Sequence, residues 1–92
     1  MEFKHEDDNK KGRFFIALNN EESEITYVYA GPKKLIIDHT AVADVMRGKN
    51  VGKQLVNKVV DFARENDMKI LPLCPFAKAI MMKSEDFKDV LF

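Results

Sequence analysis

Hydrophobic and polar positions along the chain change their period once. Between Arg13 and about Asp44, branched and aromatic residues gather in three runs. Arg13–Leu18 is aromatic and branched and stops at Asn19-Asn20. Glu24–Tyr29 alternates, with Ile25, Tyr27 and Tyr29 on one side and Thr26 and Val28 on the other, the period-2 pattern of a strand with one buried face. Ala30-Gly31-Pro32 marks a turn. A long apolar run, from Lys34 to about Asp44, carries Leu35, Ile36, Ile37, Ala41, Val42 and Ala43. Short connections between such runs predict an antiparallel meander. The polar residues 1–12 predict a short lead-in and a hairpin.

After Arg47–Gly52 the period becomes helical. Leu55, Val56, Val59, Val60, Phe62 and Ala63 form the apolar stripe, while Lys53, Lys58, Asp61, Arg64 and Glu65 turn to water. Asn66 is the expected helix stop. Lys69–Cys74 (KILPLC) predicts a short strand, and strand, helix, strand implies a parallel pairing through a right-handed crossover. Pro72 has no amide for a ladder, so this strand should splay from its neighbour near that point. Pro75 suits the first turn of a second helix with Cys74 near its N-cap, and Ser84-Glu85-Asp86 opens a last short helix. The expected architecture is α+β or α/β: a mostly antiparallel sheet with one parallel crossover.

Length and composition narrow the class. Ninety-two residues make one domain, residues 1–92. Fifteen Lys plus Arg balance fifteen Asp plus Glu, which argues against wholesale electrostatic binding to nucleic acid or an anionic membrane. No apolar run approaches the roughly 20 residues that span a bilayer, and the polar N-terminus is no signal peptide. The single cysteine, Cys74, excludes an internal disulfide framework and multi-cysteine zinc patterns, so no metal site is expected, and a lone thiol fits the cytoplasm.

Against this neutral background the segment Arg47-Gly48-Lys49-Asn50-Val51-Gly52 stands out. From Arg47 to Lys58 there are four basic residues, Arg47, Lys49, Lys53 and Lys58, and no acid. Glycines let backbone approach a ligand, and the following helix N-terminus offers free amides and partial positive charge. Charge and geometry together predict a phosphate or pyrophosphate site. The segment matches neither the three-glycine dinucleotide fingerprint nor the phosphate loop ending Gly-Lys-Ser/Thr.

The stretch from Thr40 to Gly52 resembles the acetyl-CoA-binding motif of the Gcn5-related N-acetyltransferases, Gln/Arg-x-x-Gly-x-Gly/Ala after a long strand. Arg47 and Gly52 match it; Asn50 stands where glycine is usual, and Asp44 replaces a proline often found before the loop. Asn tolerates a left-handed backbone better than most residues. The likeness runs to about residue 92 and is nearest to small single-domain members with a Cys-Pro-aromatic segment, here Cys74-Pro75-Phe76, after the fifth strand; Ile37-Asp38-His39-Thr40 also resembles that group. Such members often continue into His-Pro-Glu-Tyr, where this chain has Ser84-Glu85-Asp86-Phe87. The resemblance implies an acyl-CoA N-acyltransferase-like fold with a splayed cofactor cleft between the long strand and KILPLC. It implies acetyl-CoA or CoA with its acyl arm on backbone near Thr40 and Val42, its pyrophosphate on Arg47, Gly48, Lys49, Asn50, Val51, Gly52 and Lys53, and contacts reaching Pro75. The family's helices between the first two strands and its final hairpin are absent, so the amine acceptor, small molecule or protein, is not named by the pattern.

Two side chains are candidates for the chemistry. Cys74 opens a helix, which favours thiolate. In the implied arrangement it lies near the thioester, where it can accept acetyl, protonate the leaving thiolate, or form a mixed disulfide with CoA. Its alternative is a small buried hydrophobe. His39, expected on the face shared by Leu35, Ile37 and Ala41, can deprotonate an amine or be a hydrogen-bonded structural histidine; Asp38 and Asp44 are rival bases. His5 falls in a charged, exposed tail. Tyr27, Tyr29, Phe14, Phe15 and Phe76 are expected mostly in the core, as is the Met81-Met82 pair. The leading function is acetyl transfer from acetyl-CoA to an amine, in a monomer or weak homodimer. The alternatives are a non-catalytic CoA-binding or regulatory module and a protein–protein module that kept only the fold.

Overall fold

The computed structural model describes residues 2–92. Its strands are β1 (Lys4–Asp7), β2 (Lys11–Leu18), β3 (Glu21–Tyr29), β4 (Lys34–Ala41) and β5 (Lys69–Pro72), and its helices are α1 (Val51–Glu65) and α2 (Pro75–Lys83), with 3-10 turns at Asp44–Met46 and Glu85–Phe87. The five strands form one sheet in sequence order, antiparallel from β1 to β4 and parallel between β4 and β5. The expected meander, crossover, helix pair and terminal turn are all present. The lead-in residues form a full edge strand, β1, and β2 starts at Lys11, two residues before the aromatic run.

One face of the sheet carries the core. Phe14, Ile16, Ile25, Tyr27, Leu35 and Ile37 meet Leu55, Val56, Val59, Val60 and Ala63 of α1, all buried. On the opposite, uncovered face the Arg13 guanidinium lies 3.8 Å from the Phe15 ring centroid and bonds Glu6, Glu22 and Glu24 at 3.0 Å each. The arginine stem and head thus cover an aromatic ring that no helix reaches.

The β1 edge is tied down by polar groups. Gly12 pairs with Tyr27, and a Cβ at position 12 would strike the Tyr27 hydroxyl. The tyrosine instead reaches across β2 and donates to Asp7 Oδ2 at 2.6 Å; Tyr29 donates to the same oxygen at 2.6 Å. His5 Nε2 lies 2.6 Å from the Tyr27 oxygen, and its ring stacks on Phe14 at 4.0 Å. His5 is exposed, as expected, yet anchored rather than loose.

The register of β4 changes where the chemistry is expected. Tyr27 pairs with Ile37, but Thr26 pairs with His39 and Ile25 with Thr40, so Asp38 is an extra residue, a β-bulge. The bulge reverses the alternation. Thr40 joins the Ile25 face, against the helices, while His39 and Ala41, opposite Thr26 and Glu24, lie on the uncovered face. The expectation that His39 and Ala41 share a face with Leu35 and Ile37 is therefore corrected; simple period-2 counting fails across one inserted residue.

Candidate functional site

The β4–β5 ladder ends at Ile37–Pro72. Beyond it, the amides of Leu73 and Cys74 both donate to Ile37 O, at 3.0 and 3.1 Å, while β4 continues to Ala41. The strands part where proline has no amide to offer. Next to the opening lies a cleft of about 930 Å³ lined by Thr40, Val42, Met46, Arg47, Gly48, Asn50, Val51, Gly52, Lys53, Phe76 and Ile80. Of the ten expected cofactor contacts, eight line this cleft. Lys49 and Pro75 are not among its walls, and neither are Cys74 and His39.

The loop enters α1 through two left-handed residues, Gly48 at φ 80° and Asn50 at φ 62°, ψ 25°. Asparagine there adopts the backbone that glycine takes freely. Gln54 N is the first amide to bond a carbonyl at the helix start, that of Asn50 at 3.1 Å, so the amides of Val51, Gly52 and Lys53 have no intrahelical partner. Free amides at the start of a 15-residue helix carry the partial positive charge that suits an anion. The loop's charge is lower than the window from Arg47 onward suggests. Arg47 Nε is 2.8 Å from Asp44 Oδ1, an exposed pair of modest strength that draws on an acid just outside the window.

Gly52 has a second reason to be glycine. A Cβ there would collide with the Phe76 ring and come within 3.3 Å of Val42 Cγ2. The phenyl of α2 packs over the first turn of α1 and forms the floor of the cleft, although Phe76 keeps 43% of its surface exposed. Phe76 and Ile80 were expected in the core or not singled out; their place right after the Cys-Pro step was the available signal.

Ser23 supports the site from the core, and pattern reading misses it. It is the one fully buried polar side chain in the core among the described residues. Its hydroxyl accepts from Ala43 N at 2.9 Å and donates to Met46 Sδ at 3.1 Å, fixing the turn that leads from β4 into the loop. Its inward place in the alternation Ser23, Ile25, Tyr27 was readable had the strand been begun at Glu21.

Cys74 is 7% exposed and is the N-cap of α2. Its Sγ lies 3.4 Å from Oγ1 of Thr40, a wall residue of the cleft. Burial alone would push the thiol up. The Thr40 hydroxyl, helped by the amides of Ala77 and Phe76 at the start of α2, outweighs it and holds the thiol below its ordinary value. Among the described residues no group of three or more His, Cys, Asp or Glu side chains could hold a metal ion. Among the described residues no helix is long and apolar enough to cross a membrane. A second concavity, about 550 Å³, lies on the uncovered face around Arg13, Thr26 and Asp38; its Glu6 carboxylate is already bonded to Arg13 and its Asp38 to Thr26.

The GCN5-related N-acetyltransferase family model matches residues 13–90. This chain belongs to that family. An NMR structure of a GCN5-like protein from Staphylococcus aureus superposes with a TM-score of 0.78 at 40% identity, covering 99% of this chain and 87% of that one. Protein NATD1 of Xenopus tropicalis is 34% identical over 71 residues, 75% of this chain and 65% of that protein, and human NATD1 is 31% identical over 71 residues, 75% of this chain and 63% of that protein. The chain therefore spans a little under two thirds of the length of these curated relatives. The five-stranded mixed sheet with two helices is the fold of this GCN5-related family.

Proposed function

We propose that the protein binds acetyl-CoA in the cleft beside the β4–β5 opening and transfers the acetyl group to an amine. One observation carries the reading: the end of β4, the left-handed loop and the first turn of α1 line a single cleft beside the β4–β5 opening. The donor set suits the group. Amides at a helix start with Arg47 and Lys53 beside them suit a pyrophosphate. The edge of β4 beyond the β5 ladder, at Thr40, and the following Val42 suit an amide-bearing arm by strand addition, and Phe76, Ile80 and Met46 supply an apolar wall.

In the proposed reaction the free amine attacks the thioester carbonyl, forming the N–C bond. Collapse of the tetrahedral adduct breaks the C–S bond and expels CoA thiolate. Cys74 gives its thiol proton to that sulfur, and the hydrogen bonds that hold its thiol below the ordinary value favour the thiolate it leaves. The cysteine thiolate then takes the proton from the protonated amide nitrogen and is restored. Bringing the partners together supplies much of the rate. The scheme asks nothing of His39, which sits on the other face of the sheet.

The acceptor class is a small-molecule or protein amine, with no nucleic acid or membrane partner, and the zero net charge supports this. The single unpaired thiol supports a cytoplasmic location. The test is calorimetry with acetyl-CoA followed by turnover over a panel of amines. Binding with turnover supports the reading; binding without turnover for any amine replaces it with a CoA-binding module; no binding removes both.

A further inference from the structure

The bulge at Asp38 exchanges which neighbour of the β4 end faces the helices. Without the extra residue, the alternation set by Leu35 and Ile37 would turn His39 toward α2 and Thr40 away. With it, Ile25 pairs with Thr40, and Thr40 lines the cleft with its hydroxyl 3.4 Å from the Cys74 sulfur. The ladder pairs on either side fix the bulge, and the Thr26 hydroxyl, 2.6 Å from Asp38 Oδ1, bonds its extra residue.

We propose that Thr40 is a positioning residue for Cys74, its hydroxyl holding the sulfur at the cleft wall and changing from acceptor to donor as the thiol gives up its proton. This rests on the reading of the cleft as an acyl-CoA site. A hydroxyl is both donor and acceptor: it takes the S–H of the neutral thiol and offers its O–H to the thiolate. A strand end carrying valine would do neither, and an imidazole there would add a titrating charge beside the sulfur.

No ionisable side chain competes for this role. On β4, His39 lies on the opposite face of the sheet and Asp38 is engaged by Thr26. On α2, the Lys78 amide closes on the Cys74 carbonyl at 2.9 Å while its side chain is exposed. From β5 and the residue after it come only Pro72 and Leu73. The groups acting on the sulfur are Thr40 and the first amides of α2.

Cys74 is the chain's single cysteine, so alkylation by iodoacetamide reports it alone. The rate is to be measured between about pH 6 and 10, bracketing an ordinary thiol, in wild type, Thr40→Val, Thr40→Ser and Thr40→Ala. In Thr40→Val and Thr40→Ala the midpoint should rise by about one unit, so that near neutrality the rate falls roughly tenfold. Thr40→Ser should keep the wild-type midpoint. Circular dichroism confirms which variants are folded, and Thr40→Ala serves if Thr40→Val does not fold. An unchanged midpoint in a folded variant lacking the hydroxyl overturns the proposal, and so does a Thr40→Ser midpoint shifted as far as that of valine. Calorimetry of the wild type with CoA runs in parallel. Failure to bind CoA defeats the cofactor reading, while the alkylation profile still decides the Thr40–Cys74 relationship.

Discussion

The Thr26 hydroxyl donates a 2.6 Å hydrogen bond to Asp38, the extra residue that reverses the face of β4 just before the cleft. Two strands that would otherwise run in simple register are thereby offset by one residue, and Thr40, not His39, meets Cys74. Because the bulge is also fixed by the ladder on either side, loss of the carboxylate should be mild. Asp38→Ala is expected to lower stability by no more than about 1 kcal/mol, the scale of one exposed hydrogen bond. Urea denaturation checks this, and a loss of several kcal/mol would mean that the side chain, not the register, holds the bulge.

Asn50 occupies left-handed backbone. Replacement by glycine should leave stability within a few tenths of a kcal/mol and leave CoA affinity undiminished. Replacement by alanine should cost about 1–2 kcal/mol, because a Cβ is disfavoured there. Denaturation and calorimetry on the pair decide. A clear affinity loss in Asn50→Gly would show that the asparagine side chain itself contacts the ligand.

Gly52 and Phe76 should behave as a coupled pair. Gly52→Ala forces a methyl into the phenyl ring, an overpacking expected to cost about 1–3 kcal/mol. In Phe76→Ala the same methyl enters the vacated space, so the cost of adding it should fall by at least about 1 kcal/mol. A double-mutant cycle by denaturation measures the coupling; additive effects would mean that the two do not meet in solution.

The Asp7 edge predicts a pH dependence. Burial pushes the Asp7 carboxyl up, but the hydroxyls of Tyr27 and Tyr29 and the Asn9 amide hold it, on balance, below the usual carboxylate value. A depressed folded value means that the stabilisation is present above about pH 4 and fades as pH falls through the lower folded value. Burial and the bond to Asp7 push the Tyr29 phenol up to about 12. That stabilisation is present below about pH 10 and is lost as pH rises through about 12. In Asp7→Asn, thermal melting should show a flatter acid limb than wild type. Identical acid limbs would remove Asp7 from the account.

Most of the architecture was legible because it rests on periodicity and punctuation. The alternation of Ile25, Tyr27 and Tyr29, the stripe from Leu55 to Ala63, and the prolines at 72 and 75 each correspond to an element in its expected place. The loop was legible because glycine, asparagine and basic residues cluster at a helix start. What pattern could not show was a one-residue insertion: nothing in Ile37-Asp38-His39-Thr40 marks Asp38 as the bulge, since the register depends on the neighbouring strand. The partners of Ser23 and the contact between Gly52 and Phe76 were hidden for the same reason, being set by residues 20 or more positions away.

The most direct test of the central claim is a titration of the isotopically labelled protein with CoA, followed by amide nuclear magnetic resonance. The account predicts that the largest shifts fall on the amides from Gly48 to Lys53 and on Thr40 and Val42, and that Arg47→Glu weakens the same titration in a salt-dependent way. Shifts centred instead on Arg13, Thr26 and Asp38 across the uncovered face, or no shifts at all, would contradict it.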